Sequence, residues 1–270
     1  MSEQEAIRVS GLCFRYSSPG REEQVLNDFH ISVPAGQFLA VVGPSGCGKS
    51  TLLSLLAGLR QPISGVIERF GEAKCGPDLR VGVVFQHYSL FPWMTAKQNL
   101  IFGIRQAKKY RKKEAELLAQ HFLEQVELKE AADKYPHQLS GGMQQRVAIA
   151  RMMAMDADLF LMDEPFGALD TKTKLALQQL LQRLGCGEDQ KKTIVLVTHD
   201  IEEALFLADR IVFLRGGSIQ ADFTVPFERP RDRAGLGTNP EYNDLRRFLL
   251  NQFGAEKERE AEDRREEDMG

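Results

Sequence analysis

Gly43-Pro44-Ser45-Gly46-Cys47-Gly48-Lys49-Ser50-Thr51 is the stretch that decides the fold of this chain. It fits the spacing G-x-x-x-x-G-K-[ST] and lies between an apolar run at 38–42 and a helical pattern at 51–59. Glycines let the backbone curl so that successive N–H groups point at an anion, and the following helix N-terminus adds partial positive charge. The sequence therefore predicts a phosphate-binding loop between a strand and a helix.

Two side chains of this loop have predicted roles in binding a phosphate chain. Lys49 is expected to neutralise the outer phosphates with its full charge, and the Ser50 hydroxyl is expected to ligate Mg²⁺. Cys47 is interpreted as a small residue tolerated within the loop. A plain glycine-rich turn is the alternative interpretation, and the run Gly48-Lys49-Ser50-Thr51 in this context disfavours it.

Length and composition narrow the class of protein further. The 270 residues are enough for a large α/β core with appendages, and the formal net charge of −3 does not suggest nucleic-acid binding. No apolar stretch approaches 18 residues, and the polar N-terminus is unlike a secretory signal, so a cytosolic chain is expected. None of the four cysteines forms a C-x-x-C pair, so free thiols are expected rather than a zinc site.

The segment before the loop, residues 6–42, is rich in β-type residues. Short strands are predicted at 7–9, 12–14 and 29–33, which suggests an antiparallel flap leading into a parallel core. Tyr16 lies on this flap. A packing role is its default interpretation, and stacking on a nucleotide base is the alternative.

Polar residues follow three apolar runs, and these runs have the character of strands buried on both faces. Gln86 follows the run at 81–85, Asp163 and Glu164 follow 159–162, and His199 follows the run at 194–197 by two residues. The carboxyl ends of parallel strands meet at one edge of a sheet, so these side chains are expected to converge. Gln86 taken alone is equally well a surface glutamine.

Adjacent carboxylates are costly at the end of an apolar strand unless a cation or a catalytic role compensates. Neighbouring strand residues point in opposite directions, so Asp163 and Glu164 are expected to diverge. One acid would then hold Mg²⁺, directly or through water, and the other would face a nucleophilic water.

The spacing of apolar residues changes to helical periodicity over residues 87–156, which predicts an all-helical insertion. Near its start, Phe91-Pro92-Trp93-Met94 is an apolar loop, interpreted either as local core or as a docking patch for a partner. Further on, Ser140 precedes Gly141 and Gly142 at the predicted start of a helix. That helix N-terminus is either a second anion site or only a capped helix.

After the histidine, Asp200 and Glu203 are expected to form a capping box for a helix at 201–208. A hairpin at 211–221 should end the core, and the chain turns polar from about residue 222. A last helix is predicted at 242–253. Residues 255–270 form a Glu-rich tail that is interpreted as a solvated helix or as disorder.

Together these motifs resemble the nucleotide-binding subunit of an ATP-binding-cassette (ABC) transporter, over about residues 5–225. The matching positions occur in the order that the family has: the Walker A loop at 43–51, the Q-loop glutamine Gln86, the signature at 139–145, Walker B with its catalytic glutamate at 159–164, the D-loop at 168–170 and the switch histidine His199. Tyr16 matches the aromatic residue that stacks on adenine. The stretches at 163–170 and 198–204 look most like importers of nitrate, sulfonate, taurine or similar small solutes.

The resemblance implies a P-loop NTPase (RecA-like) α/β core with an antiparallel β subdomain and an inserted α-helical subdomain at about 87–156. Residues 226–270 would then be a C-terminal extension with an acidic tail. The implied cofactors are ATP and Mg²⁺, with Ser50, Gln86 and Asp163 positioning the metal. Glu164 would activate the attacking water, and His199 would contact the γ-phosphate.

The resemblance also implies partners. One phosphate loop and one signature per chain would need a second copy, arranged head to tail so that Ser140, Gly141 and Gly142 cover the partner's nucleotide. Membrane-spanning permease subunits, and indirectly a solute-binding protein, would complete a transporter at the cytoplasmic face of the membrane, with no nucleic acid involved. The rival interpretations are an ABC-type ATPase of DNA repair or translation, and an ATP-dependent binding switch without turnover.

Overall fold

A computed structural model describes residues 4–73, 75–86, 89–107, 110–184 and 192–253. The predicted acidic tail lies outside these residues.

Within the described ranges the chain alternates strands with helices, as the sequence predicts for an α/β protein. The strands are β1 (Glu5–Ser18), β2 (Arg21–Pro34), β3 (Phe38–Val42), β4 (Ser64–Arg69), β5 (Glu72–Ala73), β6 (Val81–Val84), β7 (Leu159–Asp163), β8 (Thr193–Thr198), β9 (Arg210–Arg215) and β10 (Ser218–Thr224). The helices are α1 (Lys49–Leu56), α2 (Ala96–Ala107), α3 (Lys112–Gln125), α4 (Gly141–Ala154), α5 (Thr171–Leu184), α6 (Ile201–Leu207), α7 (Arg233–Thr238) and α8 (Pro240–Phe253). Single 3₁₀ turns occur at Lys129–Ala131 and Pro136–Gln138.

The larger sheet has the strand order β10-β9-β3-β8-β7-β6. All its neighbouring pairs are parallel except the β9–β10 hairpin. Every residue of β3, β7 and β8 is buried, which matches their unbroken apolar sequences because a parallel sheet is covered on both faces. This arrangement brings the ends of β3, β6, β7 and β8 to one edge of the sheet, as predicted.

The smaller sheet, β2-β1-β4-β5, is the predicted antiparallel flap. The expectation of separate short strands at 7–9 and 12–14 was wrong, because both belong to the single strand β1. Gly11 has a φ of 60°, and the pairing register shifts between Val9 and Leu12. Such a bulge breaks the apolar alternation without ending the strand, so the pattern looks like two pieces.

Helices α2, α3 and α4 pack on one another between β6 and β7 in chain order. Their shared core contains the fully buried Leu100, Ile104, Ala119 and Leu123. Helix α4 also contacts β6, so the bundle rests on the edge of the larger sheet. One continuous helix therefore links the signature residues at 140–142 to the sheet.

Helix α6 begins where predicted, but the capping box was wrong. Asp200 Oδ1 accepts hydrogen bonds from the backbone N–H groups of Glu202 and Glu203, as an N-cap does. The Glu203 carboxylate does not complete the box. It accepts a 2.7 Å hydrogen bond from the Thr198 hydroxyl and lies 2.5 Å from the Lys174 ammonium. The buried Glu203 carboxylate therefore links α6 to β8 and α5. These two contacts take the place of the capping-box contact that the spacing predicted.

The C-terminal segment packs back onto the core through groups that give no periodic signal. Helix α7 was not predicted, because its sequence, RAGLGT, has no apolar stripe and depends on the Asp232 cap. The buried guanidinium of Arg231 donates hydrogen bonds to the carbonyls of Leu205, Phe206 and Ala208 at 2.9–3.1 Å, satisfying the end of α6. Phe253 of α8 stacks on Phe213 with ring centroids 4.1 Å apart.

Candidate functional site

The phosphate loop joins β3 to α1 through backbone that only glycine accommodates. Gly46 and Gly48 have φ values of 80° and 105°, in the left-handed region that side chains rarely adopt. A Cβ on Gly43 would lie 2.2 Å from the carbonyl oxygen of Leu214, so β9 leaves no room for a side chain there. The strand–loop–helix context that the motif predicts is therefore present.

Lys49 reaches back across this loop. Its ammonium donates hydrogen bonds to the carbonyls of Gly43 and Pro44, both at 2.7 Å, and the residue is only 7% exposed. The Cys47 sulfur lies 3.9 Å from the same ammonium. Burial raises the pKa of the Cys47 thiol although Lys49 acts in the opposite direction, so the side chain stays a neutral thiol, in keeping with its interpretation as a small tolerated residue.

Asp163 sits at the end of β7, beside Ser50 in the first turn of α1. Burial raises the pKa of Asp163, while the nearby Ser50 hydroxyl acts to lower it. Asp163 is 5% exposed, and its Oδ1 has no hydrogen-bond partner among the described residues. A buried, unpartnered carboxylate oxygen beside a hydroxyl is costly unless a cation balances it, so these residues fit Mg²⁺.

Glu164 and His199 meet at the ends of β7 and β8. His199 Nδ1 lies 2.9 Å from Glu164 Oε1, and the Glu164 N–H donates to the Val197 carbonyl at 2.9 Å. Glu164 has a φ of 46°, a strained conformation for a glutamate. The strand ends at Asp163, so the kinked backbone at Glu164, and not strand alternation, sets the direction of the Glu164 side chain.

Gln86 and Tyr16 come from two other parts of the chain, the end of β6 and the flap. Gln86 lies two residues beyond the end of β6 and its side chain is exposed, so the structure places it at the predicted sheet edge. The Tyr16 hydroxyl lies 3.1 Å from the Thr51 hydroxyl, which joins the flap to the first turn of α1. Tyr16 is 37% exposed.

The signature residues form the N-terminus of α4, which is 14 residues long. Ser140 Oγ accepts a 3.3 Å hydrogen bond from the Met143 N–H, so the predicted cap is present. A Cβ on Gly142 would lie 3.0 Å from the Ala168 carbonyl oxygen, which shows how closely this turn packs on the loop after Glu164.

Sequence reasoning missed the residues that hold the loop at 89–94. Asn99 of α2 is fully buried, accepts from the Phe91 N–H at 2.9 Å and donates to the Met94 carbonyl at 3.1 Å. Arg151 of α4 donates to Asn99 Oδ1 at 3.4 Å and to the Ser89 carbonyl at 3.0 Å. The available signal was a polar residue, Asn99, on the otherwise apolar face of α2.

This loop borders an apolar groove of about 630 Å³ on α2. Trp93, Met94, Ile101 and Phe102 supply its apolar lining, with Arg105 among its polar lining groups. Trp93 is 68% exposed. The local-core interpretation of the loop at 91–94 therefore fails for Trp93, whose ring is mostly in solvent. Over the described part of the chain, no helix has the length and apolar character needed to cross a bilayer.

Comparison with known proteins identifies the class. The family model described as ABC transporter matches residues 26–167. The nitrate import ATP-binding protein NrtD of Synechococcus elongatus is 43% identical over 241 residues, covering 87% of this chain and 86% of that protein. The taurine import ATP-binding protein TauB of Roseobacter denitrificans is 39% identical, with 91% of this chain and 92% of that protein covered.

A bicarbonate transport ATP-binding protein, CmpD of Synechococcus elongatus, is 42% identical, covering 90% of each chain. Among solved structures, the ATP-binding cassette MJ0796 in a dimeric post-hydrolysis state bound to ADP and Pi superposes with a TM-score of 0.77 at 31% identity. That match covers 82% of this chain and all of the other.

The chain therefore belongs to the ABC transporter family, and it is an ATP-binding, ATP-hydrolysing cassette. The predicted resemblance, the P-loop NTPase fold with its antiparallel and helical subdomains, and the ATPase class are confirmed. The relatives group it with ATP-binding subunits of importers, and their solutes differ from one another.

Proposed function

We propose that this chain hydrolyses ATP to drive an importer of a small solute such as nitrate, sulfonate or taurine. This proposal depends on one observation, which is that three groups lie at one edge of the larger sheet: the loop that contains Lys49, the Ser50–Asp163 pair and the Glu164–His199 pair. Relatives named for nitrate, bicarbonate and taurine support a small, mostly anionic solute. The domain division at about residues 225–226, with the helical subdomain at about 87–156, is part of this proposal.

The loop at 43–51 and the N-terminus of α1 bind the phosphates. Gly46 and Gly48 shape the loop so that its N–H groups face inward, and Lys49 supplies the full positive charge. Tyr16 supplies an aromatic face beside Thr51 for the adenine. The loop at 43–51 thus holds the phosphate chain, and Tyr16 holds the base at the other end of the nucleotide.

Ser50, Asp163 and Gln86 would hold Mg²⁺. When bound, this ion neutralises charge on the phosphate oxygens. Asp163 fits because its buried Oδ1 lacks a partner among the described residues. Gln86 follows β6 at the same sheet edge and has an exposed side chain, which supports a role as the third group.

Glu164 is positioned to orient and deprotonate the attacking water. Its carboxylate is held by His199 and by a kinked backbone, so little reorganisation is needed at the moment of reaction. His199 is placed to reach the γ-phosphate with its second ring nitrogen. Catalysis is then chiefly positioning and charge stabilisation.

A second copy of the chain would complete each site. The N-terminus of α4, with Ser140, Gly141 and Gly142, offers N–H groups and a helix dipole to an anion. Two solved structures of the similar cassette MJ0796 are dimeric, which supports a head-to-tail pair with ATP between the copies. Loss of the γ-phosphate would then loosen the pair.

The groove beside Trp93 and Phe102 is the proposed docking site for the permease, at the cytoplasmic face of the membrane. An exposed tryptophan next to an apolar groove is typical of an interface centre. Asn99 and Arg151 fix this groove to α4, whose other end carries the signature. Movement of the signature would therefore reach the permease through one rigid helix. A solute-binding protein would act only through that permease.

The purified chain should release phosphate from ATP, and EDTA should abolish the release by removing Mg²⁺. A phosphate-release assay with and without EDTA measures both effects, and repeating it over a range of protein concentrations tests the dependence on dimer formation. Two composite sites per dimer should make the rate rise more than linearly with protein concentration. ATP binding without any phosphate release, in the presence of Mg²⁺, would instead indicate a binding switch.

Trp93→Ala is expected to reduce capture of the permease by at least about tenfold, the effect of losing an interface hot spot, while basal hydrolysis stays near wild type. The measurement is the permease recovered with the tagged chain from detergent-solubilised membranes of the source cells, alongside phosphate release. Phe248→Ala, which removes another exposed aromatic ring far along the chain on α8, is the matched control. Full recovery with Trp93→Ala would contradict docking at this groove.

A further inference from the structure

Arg60 lies over the Tyr16 ring, next to the proposed binding position of the base. Its guanidinium carbon lies 4.9 Å from the Tyr16 ring centroid and 5.9 Å from that of Phe14. The chain reaches this point because Gly58, with a φ of 73°, turns it after α1. Arg60 itself is exposed, and its contact with an aromatic face at this distance is a cation–π contact.

Tyr16 is consequently held at three places. Its hydroxyl meets Thr51 at 3.1 Å, and Phe14 packs against it edge to face with centroids 5.1 Å apart. The Arg60 guanidinium lies over the ring. Phe14 is buried and Thr51 belongs to α1, so two of these contacts connect the ring to the core. The ring is 37% exposed, which leaves aromatic surface in contact with solvent.

We propose that Arg60 is a positioning residue for the nucleotide base, a role that rests on the proposed function in which Tyr16 stacks on adenine. The guanidinium lies over the ring, and we expect the base to stack on the face opposite to it. A ring already fixed in its bound orientation loses less freedom when the base arrives, so binding is stronger. Arg60 therefore acts through Tyr16, without touching the phosphates.

Two other effects of Arg60 are physically distinct from this one. A cation near the site attracts any polyphosphate, with or without a base. A guanidinium on the face that the base needs would compete with it, and its removal would strengthen ATP binding. The presence or absence of a base in the ligand, and the sign of the change in affinity, separate these possibilities.

Arg60→Ala should weaken MgATP binding by about two- to fivefold, the size of an exposed cation–π contact, and leave the affinity for Mg-tripolyphosphate unchanged. In hydrolysis, KM for ATP should rise by the same factor with kcat unchanged. In a Tyr16→Ala background, Arg60→Ala should have no further effect. Calorimetric titration with MgATP and with Mg-tripolyphosphate gives the two affinities. Arg15→Ala removes a neighbouring positive charge that pairs with Glu22 at 2.8 Å and serves as the control for charge.

Three results would each overturn the assignment: an equal loss of affinity for ATP and for tripolyphosphate, tighter binding of ATP, or an undiminished effect of Arg60→Ala on ATP affinity in the Tyr16→Ala background. Unchanged ATP affinity in Arg60→Ala, with the wild-type chain still binding ATP, would overturn the role of Arg60 alone. If the wild-type chain bound neither ATP nor tripolyphosphate, the proposed function would fail as well.

Discussion

Glu164→Gln is expected to lower kcat for ATP hydrolysis by about 10²- to 10⁴-fold, the usual contribution of a general base, with ATP affinity within about threefold of wild type. Glutamine keeps the volume of the side chain and an oxygen that accepts from His199 at the 2.9 Å contact. The kink at Glu164 and the placement of His199 should therefore survive. What glutamine lacks is the ability to take a proton from water.

Single-turnover phosphate release at saturating MgATP, together with a binding titration, measures these two quantities. Glu124→Gln is the matched control, because it makes the same chemical change at an exposed position of α3 paired with Lys129. ATP trapped in the Glu164→Gln protein should also stabilise a dimer, visible by size-exclusion chromatography. Hydrolysis at the wild-type rate would remove Glu164 from the mechanism.

Lys49→Ala is expected to weaken ATP binding by about 30-fold or more, since truncating one partner of a buried charge pair costs about 2–5 kcal/mol. The ammonium is the positive charge held inside the loop by the Gly43 and Pro44 carbonyls. Removing it takes away the charge that faces the phosphates and also leaves those two carbonyls without that donor.

A change in loop structure must be separated from the loss of charge, and Lys49→Met does this by filling most of the space without a charge. Both variants should lose ATP affinity to a similar degree, as measured by calorimetry, while thermal unfolding of the ligand-free proteins stays close to wild type. Lys129→Ala, at an exposed position paired with Glu124, is the lysine control. ATP affinity within a few-fold of wild type in Lys49→Met would show that the charge of Lys49 is not needed.

Much of the fold was predictable because its signals are local. The buried strands β3, β7 and β8 are uninterrupted apolar runs, and a parallel sheet requires that pattern. Their ends then place Asp163, Glu164 and His199 at one edge without further information. The strand β1 was misread because a bulge at Gly11 interrupts its alternation.

Other features were not predictable because they depend on pairing between distant residues. Glu203 bonds Thr198 and Lys174 instead of closing a capping box, and Arg231 caps a helix that ends more than twenty residues earlier. Asn99 and Arg151 meet across two helices. No periodicity marks such contacts, since each is a single polar group that finds its partner only when the chain is packed.

The phosphate loop shows which features the sequence determines by itself and which depend on the tertiary structure. The sequence alone determined a glycine loop with Lys49 and Ser50 between a strand and a helix, because spacing and backbone freedom suffice for that. Tertiary structure decided what surrounds it: Asp163 beside Ser50, His199 against Glu164, Tyr16 over Thr51 and Arg60 over Tyr16. These contacts join residues between 35 and 113 positions apart that are brought together by strand order and by the flap, and a linear pattern of residues does not carry that information.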